Sequence, residues 1–161
     1  MKKLILALIS SSIIVATPVL SSGLTMQTGI LDYSDDYRRS GFVEATYTFL
    51  SSDKTNLLGK FTPVTGAMIT QDNATMIYTG IKGNFIIGKF IINPSFTPGY
   101  YDKGNGKDLG SFFEFKSQIN LGWNFKDQSN VGLSYSHISN GNLGKKNPGA
   151  NNIAFTLFRQ F

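Results

Sequence analysis

From Gly110 to Phe125 apolar and polar side chains alternate almost without a break. Phe113, Phe115, Ile119, Leu121, Trp123 and Phe125 share one parity, with Ser117 the exception, while Glu114, Lys116, Gln118, Asn120 and Asn124 share the other. Successive side chains on a strand point to opposite faces, so this segment has one greasy face and one ionic face. Gly41 to Leu50 repeats the pattern, with Val43, Ala45, Tyr47 and Phe49 set against Glu44, Thr46 and Thr48. Ile153, Phe155 and Leu157 repeat it less cleanly against Ala154, Thr156 and Phe158. From residue 23 onward apolar residues alternate instead of recurring at the three-and-four spacing of a helix, and glycine and asparagine interrupt the chain every few residues.

Runs bounded by turn residues predict about eight strands, near 24 to 33, 41 to 50, 56 to 69, 74 to 83, 85 to 97, 109 to 126, 129 to 140 and 151 to 161. Several reach 10 or more residues, longer than the usual soluble strand and right for crossing a bilayer at a tilt. Alternation over about 10 residues is the signature of a transmembrane barrel with apolar side chains outward and polar ones inward. A soluble lipocalin-like barrel or sandwich would alternate too, with its polar face outward. The expected fold is therefore all-β, an eight-stranded antiparallel transmembrane β-barrel of the outer-membrane type.

Both ends of the chain favour the membrane reading. Met1-Lys2-Lys3 precedes an apolar run from Leu4 to Leu20 and then Ser21-Ser22-Gly23, the layout of a secretory signal peptide. A leader over 1–22 and a single barrel domain over 23–161 are expected; an uncleaved helical anchor, which needs about 20 apolar residues, is the alternative. Phe161 closes a strand whose Leu157, Phe155 and Ile153 continue its parity. A terminal phenylalanine after alternating apolar residues resembles the signal by which bacterial outer-membrane barrels are recognised for assembly. Trp123 and several tyrosines are available for interfacial girdles.

The absence of cysteine excludes a disulfide scaffold and thiolate metal sites, and a single histidine excludes a zinc triad. No metal or other cofactor is expected. The chain has 15 basic and 10 acidic residues, and loss of Lys2 and Lys3 with the leader reduces its net charge from +5 to +3. Basic residues do not interleave with aromatics on one element, so nucleic acid is not an expected partner. Scattered cations near an interface suit the phosphates of outer-membrane lipids. The segment Asp102 to Asp108 faintly suggests a calcium loop, but it lacks the required spacing and terminal glutamate and reads as a hairpin tip.

His137 stands in Ser136-His137-Ile138-Ser139-Asn140-Gly141, and Val131, Leu133, Tyr135, His137 and Ser139 share a parity. Residues two apart on a strand lie about 6.6 Å apart along one face. Histidine and serine therefore sit together on a face that, in this barrel, meets lipid. The plain reading of the pair is a polar strand end near the interface, followed by an ordinary turn of asparagine and glycine.

His-x-Ser-Asn followed by an Asn and Gly turn, in the penultimate strand of a small outer-membrane barrel, resembles the lipid A 3-O-deacylases of the PagL type, an acyloxyacyl hydrolase-like group. The likeness is sharpest from His137 to Asn151 and extends through Asp108-Leu109-Gly110 and the Phe113-Glu114-Phe115 strand. It implies that His137 is the general base and Ser139 the nucleophile attacking an ester-linked 3-hydroxyacyl chain of lipopolysaccharide, on the barrel's outer wall. It places Asn140, Asn142 and Asn147 on the oxyanion or substrate-binding side. The orienting glutamate of the family falls 14 positions after the histidine, at Asn151. An amide carbonyl can accept the imidazole proton but cannot offset imidazolium charge, and acid-to-amide replacement costs a serine triad about 10⁴ in rate. Glu114 is the nearest substitute acid, and its parity sends it into the lumen with Lys116.

Two expectations follow. One is a serine-esterase-type lipid A deacylase acting on lipid A or lipopolysaccharide; the other is a non-catalytic outer-membrane barrel, structural or adhesive, whose triad has decayed at Asn151. A porin fits less well, because eight strands leave an interior that side chains can fill. The sequence leaves open whether two copies pair as a homodimer.

Overall fold

A computed structural model describes residues 22–49, 61–125 and 129–161. The leader expected over residues 1–22 lies outside that set except for Ser22, as do the first residues of the third expected strand. The described strands are β1 (Gly23–Leu31), β2 (Ser40–Thr48), β3 (Phe61–Thr70), β4 (Thr75–Gly83), β5 (Phe85–Ile87), β6 (Phe90–Asp102), β7 (Phe113–Asn124), β8 (Ser129–Ser139) and β9 (Ala150–Gln160). Neighbours pair antiparallel in the order β4-β3-β2-β1-β9-β8-β7-β6-β5, and a further pairing of β4 with β6 closes the sheet. β4 and β5 act as one stave broken at Asn84, so the closed antiparallel barrel has eight staves.

One expected boundary is corrected. The run 85–97 does not form one strand: β5 turns back at Gly88 and Lys89, pairing Ile87 with Phe90 and Phe85 with Ile92. Apolar residues stand on both sides of this two-residue connection and hide it from the alternation. Gly88 takes a φ of +63° there, a backbone region glycine enters without steric cost. Asn93 Nδ2 donates to Gly83 O and to Asn84 Oδ1, each at 3.0 Å, and holds the break in the stave.

The parity read from sequence decides which side chains face out. Leu133, Phe155, Leu121, Ile77 and Val43 are exposed, whereas Glu44, Lys116, Asn120, Ser134, Asn152 and Thr156 are buried in the lumen. This is the inverse of a soluble barrel and matches apolar-out, polar-in alternation. Aromatic rings gather at both ends of the wall. Phe90 packs edge-on against Trp123 at 4.8 Å and Phe61 against Phe85 at 6.4 Å near one end; Tyr33 meets Tyr135 at 6.5 Å and Tyr100 meets Phe112 at 5.9 Å near the other. Girdles of this kind sit at the two membrane interfaces.

The lumen is packed by side chains. Around its middle, Glu44 accepts hydrogen bonds from Gln27 (3.0 Å) and Tyr78 (2.6 Å), and forms an ion pair with Lys116. Toward the end that carries the 32–39, 71–74, 103–112 and 140–149 connections the filling turns apolar, with Leu31, Met76, Leu109 and Ile138 fully buried. At the opposite end the chain seals itself. Ser22 N donates to Phe161 O at 3.0 Å and Phe161 N to Ser22 O at 2.8 Å, continuing the β1–β9 ladder.

Candidate active site

The outer wall of β8 and β9, near the loop-bearing end, carries the polar residues that interrupt its apolar surface. Register makes His137 the direct cross-strand partner of Asn151, and Ser117 its partner on the β7 side. Facing side chains of such pairs have Cβ atoms about 4.5–5.5 Å apart, within hydrogen-bond reach for long polar groups. Nδ1 of His137 lies 2.8 Å from Asn151 Oδ1. The same oxygen accepts a hydrogen bond from the Tyr135 hydroxyl at 3.0 Å. Ser139 lies two residues beyond His137 on the same wall, half-buried and paired with Phe115. Among the described residues its hydroxyl is not hydrogen-bonded to the imidazole.

The loop from 140 to 149 leaves β8 just past this patch, returns to it at Gly149 and is held by one asparagine. Asn140 is fully buried; its Nδ2 donates to Leu109 O and Lys146 O, both at 2.8 Å, and its Oδ1 accepts from Asn142 N at 3.0 Å. Both amide protons are thus engaged, one tying the loop to the 103–112 connection and the other closing the loop on itself. Asn140 N donates to Asn147 Oδ1 at 3.1 Å, which fixes that amide by its oxygen. The half-buried Asn147 keeps its Nδ2 protons without a partner among the described residues. Asn142 has a φ of +66° and an exposed side chain, so here it shapes the turn. At the loop's end Gly149, φ +63°, lies under the imidazole; a Cβ there would come within 2.8 Å of His137 Cε1.

Glu114 does not join this patch. It is fully buried on the lumen side, and neither of its carboxylate oxygens has a hydrogen-bond partner among the described residues. What the sequence reading missed lies in the β1–β2 connection. Asp32 Oδ1 accepts from Asn151 N at 3.2 Å and from Ser34 Oγ at 3.2 Å, and Ser34 Oγ in turn accepts from Asn151 Nδ2 at 3.4 Å. Asp32 is also ion-paired with Lys107. Nothing in Asp32-Tyr33-Ser34 marks it as part of a site some 120 residues away, since only barrel closure between β1 and β9 brings the two together.

The sequence profile of the lipid A 3-O-deacylase (PagL) family matches residues 23–159, nearly the whole barrel. The chain belongs to the lipid A 3-O-deacylase (PagL) family. No curated protein matches it in sequence. Among solved structures, it is similar to the crystal structure of the outer membrane enzyme PagL, with a TM-score of 0.64 at 16% identity over 85% of this chain and 98% of that one. De novo designed transmembrane β-barrels give 0.59 at 6% identity, covering 90% and 98%. Neisserial surface protein A gives 0.53 at 10% identity, covering 88% and 96%. Identities this low carry the fold alone. With the family match, they make this PagL-family chain an outer-membrane β-barrel.

Proposed function

We propose that this chain is a lipid A 3-O-deacylase in which Ser139 is the nucleophile, His137 the general base and Asn151 the group that orients the imidazole. The observation that carries the reading is the 2.8 Å contact between His137 Nδ1 and Asn151 Oδ1 on a wall facing lipid, with Ser139 beside it. An imidazole that gives its Nδ1 proton to a carbonyl oxygen leaves Nε2 as a free base. Nε2 takes the proton of Ser139 Oγ as the oxygen attacks the ester carbonyl of a 3-hydroxyacyl chain. The sugar oxygen leaves with that proton, and water, deprotonated by the same imidazole, releases the 3-hydroxy fatty acid from the serine. Asn147 Nδ2, with its oxygen already held, supplies a side-chain donor for the developing oxyanion; loss of one such donor elsewhere costs about 2.7–4 kcal/mol.

The placement gives the substrate its route. Leu133, Tyr135, Ile153 and Phe155 form the surrounding outer wall, so an acyl chain can lie along the barrel while its ester reaches Ser139 at the interface. Asn151 at the acid's position favours a second reading, an assembled but inactive barrel. Mass spectrometry of lipid A from cells expressing wild type or Ser139→Ala separates the two. Loss of a 3-hydroxyacyl group only with wild type is the expected result. Identical lipid A in both would leave the inactive barrel.

A further inference from the structure

A neutral amide is a poor substitute for a carboxylate because it has two ends. With Oδ1 toward His137, Asn151 accepts the Nδ1 proton and leaves Nε2 basic. With Nδ2 toward His137 it donates to Nδ1, and the proton must sit on Nε2, where it blocks proton transfer from Ser139. The contacts of Asn151 with the β1–β2 connection select between these states. Asp32 is 2% exposed and its carboxylate, paired with Lys107, only accepts hydrogen bonds. Ser34 lies 3.2 Å from Asp32 Oδ1 and has a single proton to give. Once that proton is directed to Asp32, Ser34 Oγ can only accept, and the group 3.4 Å away on Asn151 must be its Nδ2. Oδ1 then points at His137 and at the Tyr135 hydroxyl, which can donate to it.

We infer that Asp32 and Ser34 are positioning residues that fix the amide orientation of Asn151 and, through it, the tautomer of His137. The sequence of donors is polar throughout: Lys107 to Asp32, Ser34 to Asp32, Asn151 to Ser34, His137 to Asn151. The charge that the family keeps next to the histidine is here set back behind two neutral dipoles. The relay is held independently of Ser34, because Asp32 N donates to Asn152 Oδ1 (2.9 Å), Tyr33 N to Asn151 O (2.9 Å) and Asn151 N to Asp32 Oδ1 (3.2 Å). Removing the exposed Ser34 hydroxyl therefore leaves the loop anchored. As a catalytic effect, the inference rests on the deacylase reading given above.

The test uses the full barrel refolded in detergent and ¹⁵N-labelled at histidine, which reports one imidazole because the chain has one. At a pH where that ring is neutral, wild type should show a protonated Nδ1 and a bare Nε2. Ser34→Ala should move a measurable fraction to the Nε2–H form and lower kcat for 3-hydroxy fatty acid release about tenfold, the worth of one neutral hydrogen bond, with KM unchanged. In an Asn151→Glu background the same substitution should do little, since either glutamate oxygen accepts. Unchanged imidazole shifts in Ser34→Ala, or an equal loss in both backgrounds, would overturn the inference. An inactive wild type whose tautomer still follows Ser34 would overturn the deacylase reading and uphold the relay.

Discussion

Glu44 in the lumen and Asn151 on the wall both gather hydrogen-bond donors, and they differ in how charge is handled. Glu44 collects Gln27, Tyr78 and Lys116, so its negative charge is matched by a buried ammonium inside a closed polar network. Asn151 collects His137 and Tyr135 on a surface whose neighbours, Ile153 and Phe155, face lipid. A carboxylate there would be costly to desolvate without its own cation. A neutral amide avoids that cost, but it cannot offset imidazolium charge and accepts the imidazole proton only when its oxygen is the end turned toward the ring. Around Glu44 the lumen matches a charge with an ammonium, whereas the wall sets neutral dipoles against His137.

The sharpest way to break this contrast is at the wall. Ser139→Ala should abolish release of 3-hydroxy fatty acid while the barrel still assembles, since a surface serine contributes little to packing. Lipid A mass spectra together with heat-modifiable gel migration check both halves. His137→Ala should do the same. Asn151→Ala should lower the rate by up to about 10⁴, the cost of a misoriented imidazole in a serine triad, with assembly unaffected. Asn151→Glu should match or exceed wild type in a steady-state assay.

In the lumen the effects should reverse, with stability lost and the rate per folded molecule retained. Glu44→Ala strands Lys116, which is 3% exposed, and should cost about 3–5 kcal/mol in denaturant unfolding in micelles. Leu133→Arg, placed midway along the lipid face of β8, should cost about 2–4 kcal/mol in the same measurement. The smallest effect concerns the loops. Asp108 is held below the ordinary carboxylate range by the Gly110 N–H and then by Lys146, so it supports the folded loops at neutral pH and loses that support as pH falls through its lowered pKa. Limited proteolysis of the 140–149 loop should quicken only under acid, and Asp108→Asn should remove that pH dependence.

The barrel was legible in the sequence because a lipid-facing wall and a polar lumen impose period two on every stave. Phe113 to Trp123 shows it most plainly, and the parity that placed His137 and Ser139 outward and Glu114 inward follows from the same rule. The turn at Gly88 escaped because Ile86-Ile87 and Phe90-Ile91 are equally apolar on either side of it. Asp32 and Ser34 escaped for a different reason: local pattern carries no trace of a contact made only by closure. Asn140 was expected on the oxyanion side, whereas its Nδ2 donates to Leu109 O and Lys146 O, ties that depend on the chain folding back on itself and leave no local pattern.

The reciprocal bonds between Ser22 and Phe161 also bear on how the molecule is made. Seven of the eight junctions between staves join segments that follow one another in the chain, and each can zip as a hairpin once its turn has formed. The β1–β9 junction joins the first described stave to the last, so it must wait for all the others, and its long loop carries the largest closure entropy. His137 and Ser139 lie on β8, one stave from that junction, and Asn151 lies on it. An open, unsealed sheet therefore has His137, Ser139 and Asn151 but no Asp32 beside Asn151, so under the proposed deacylase reading the full rate should appear only with the last event of assembly and report its completion.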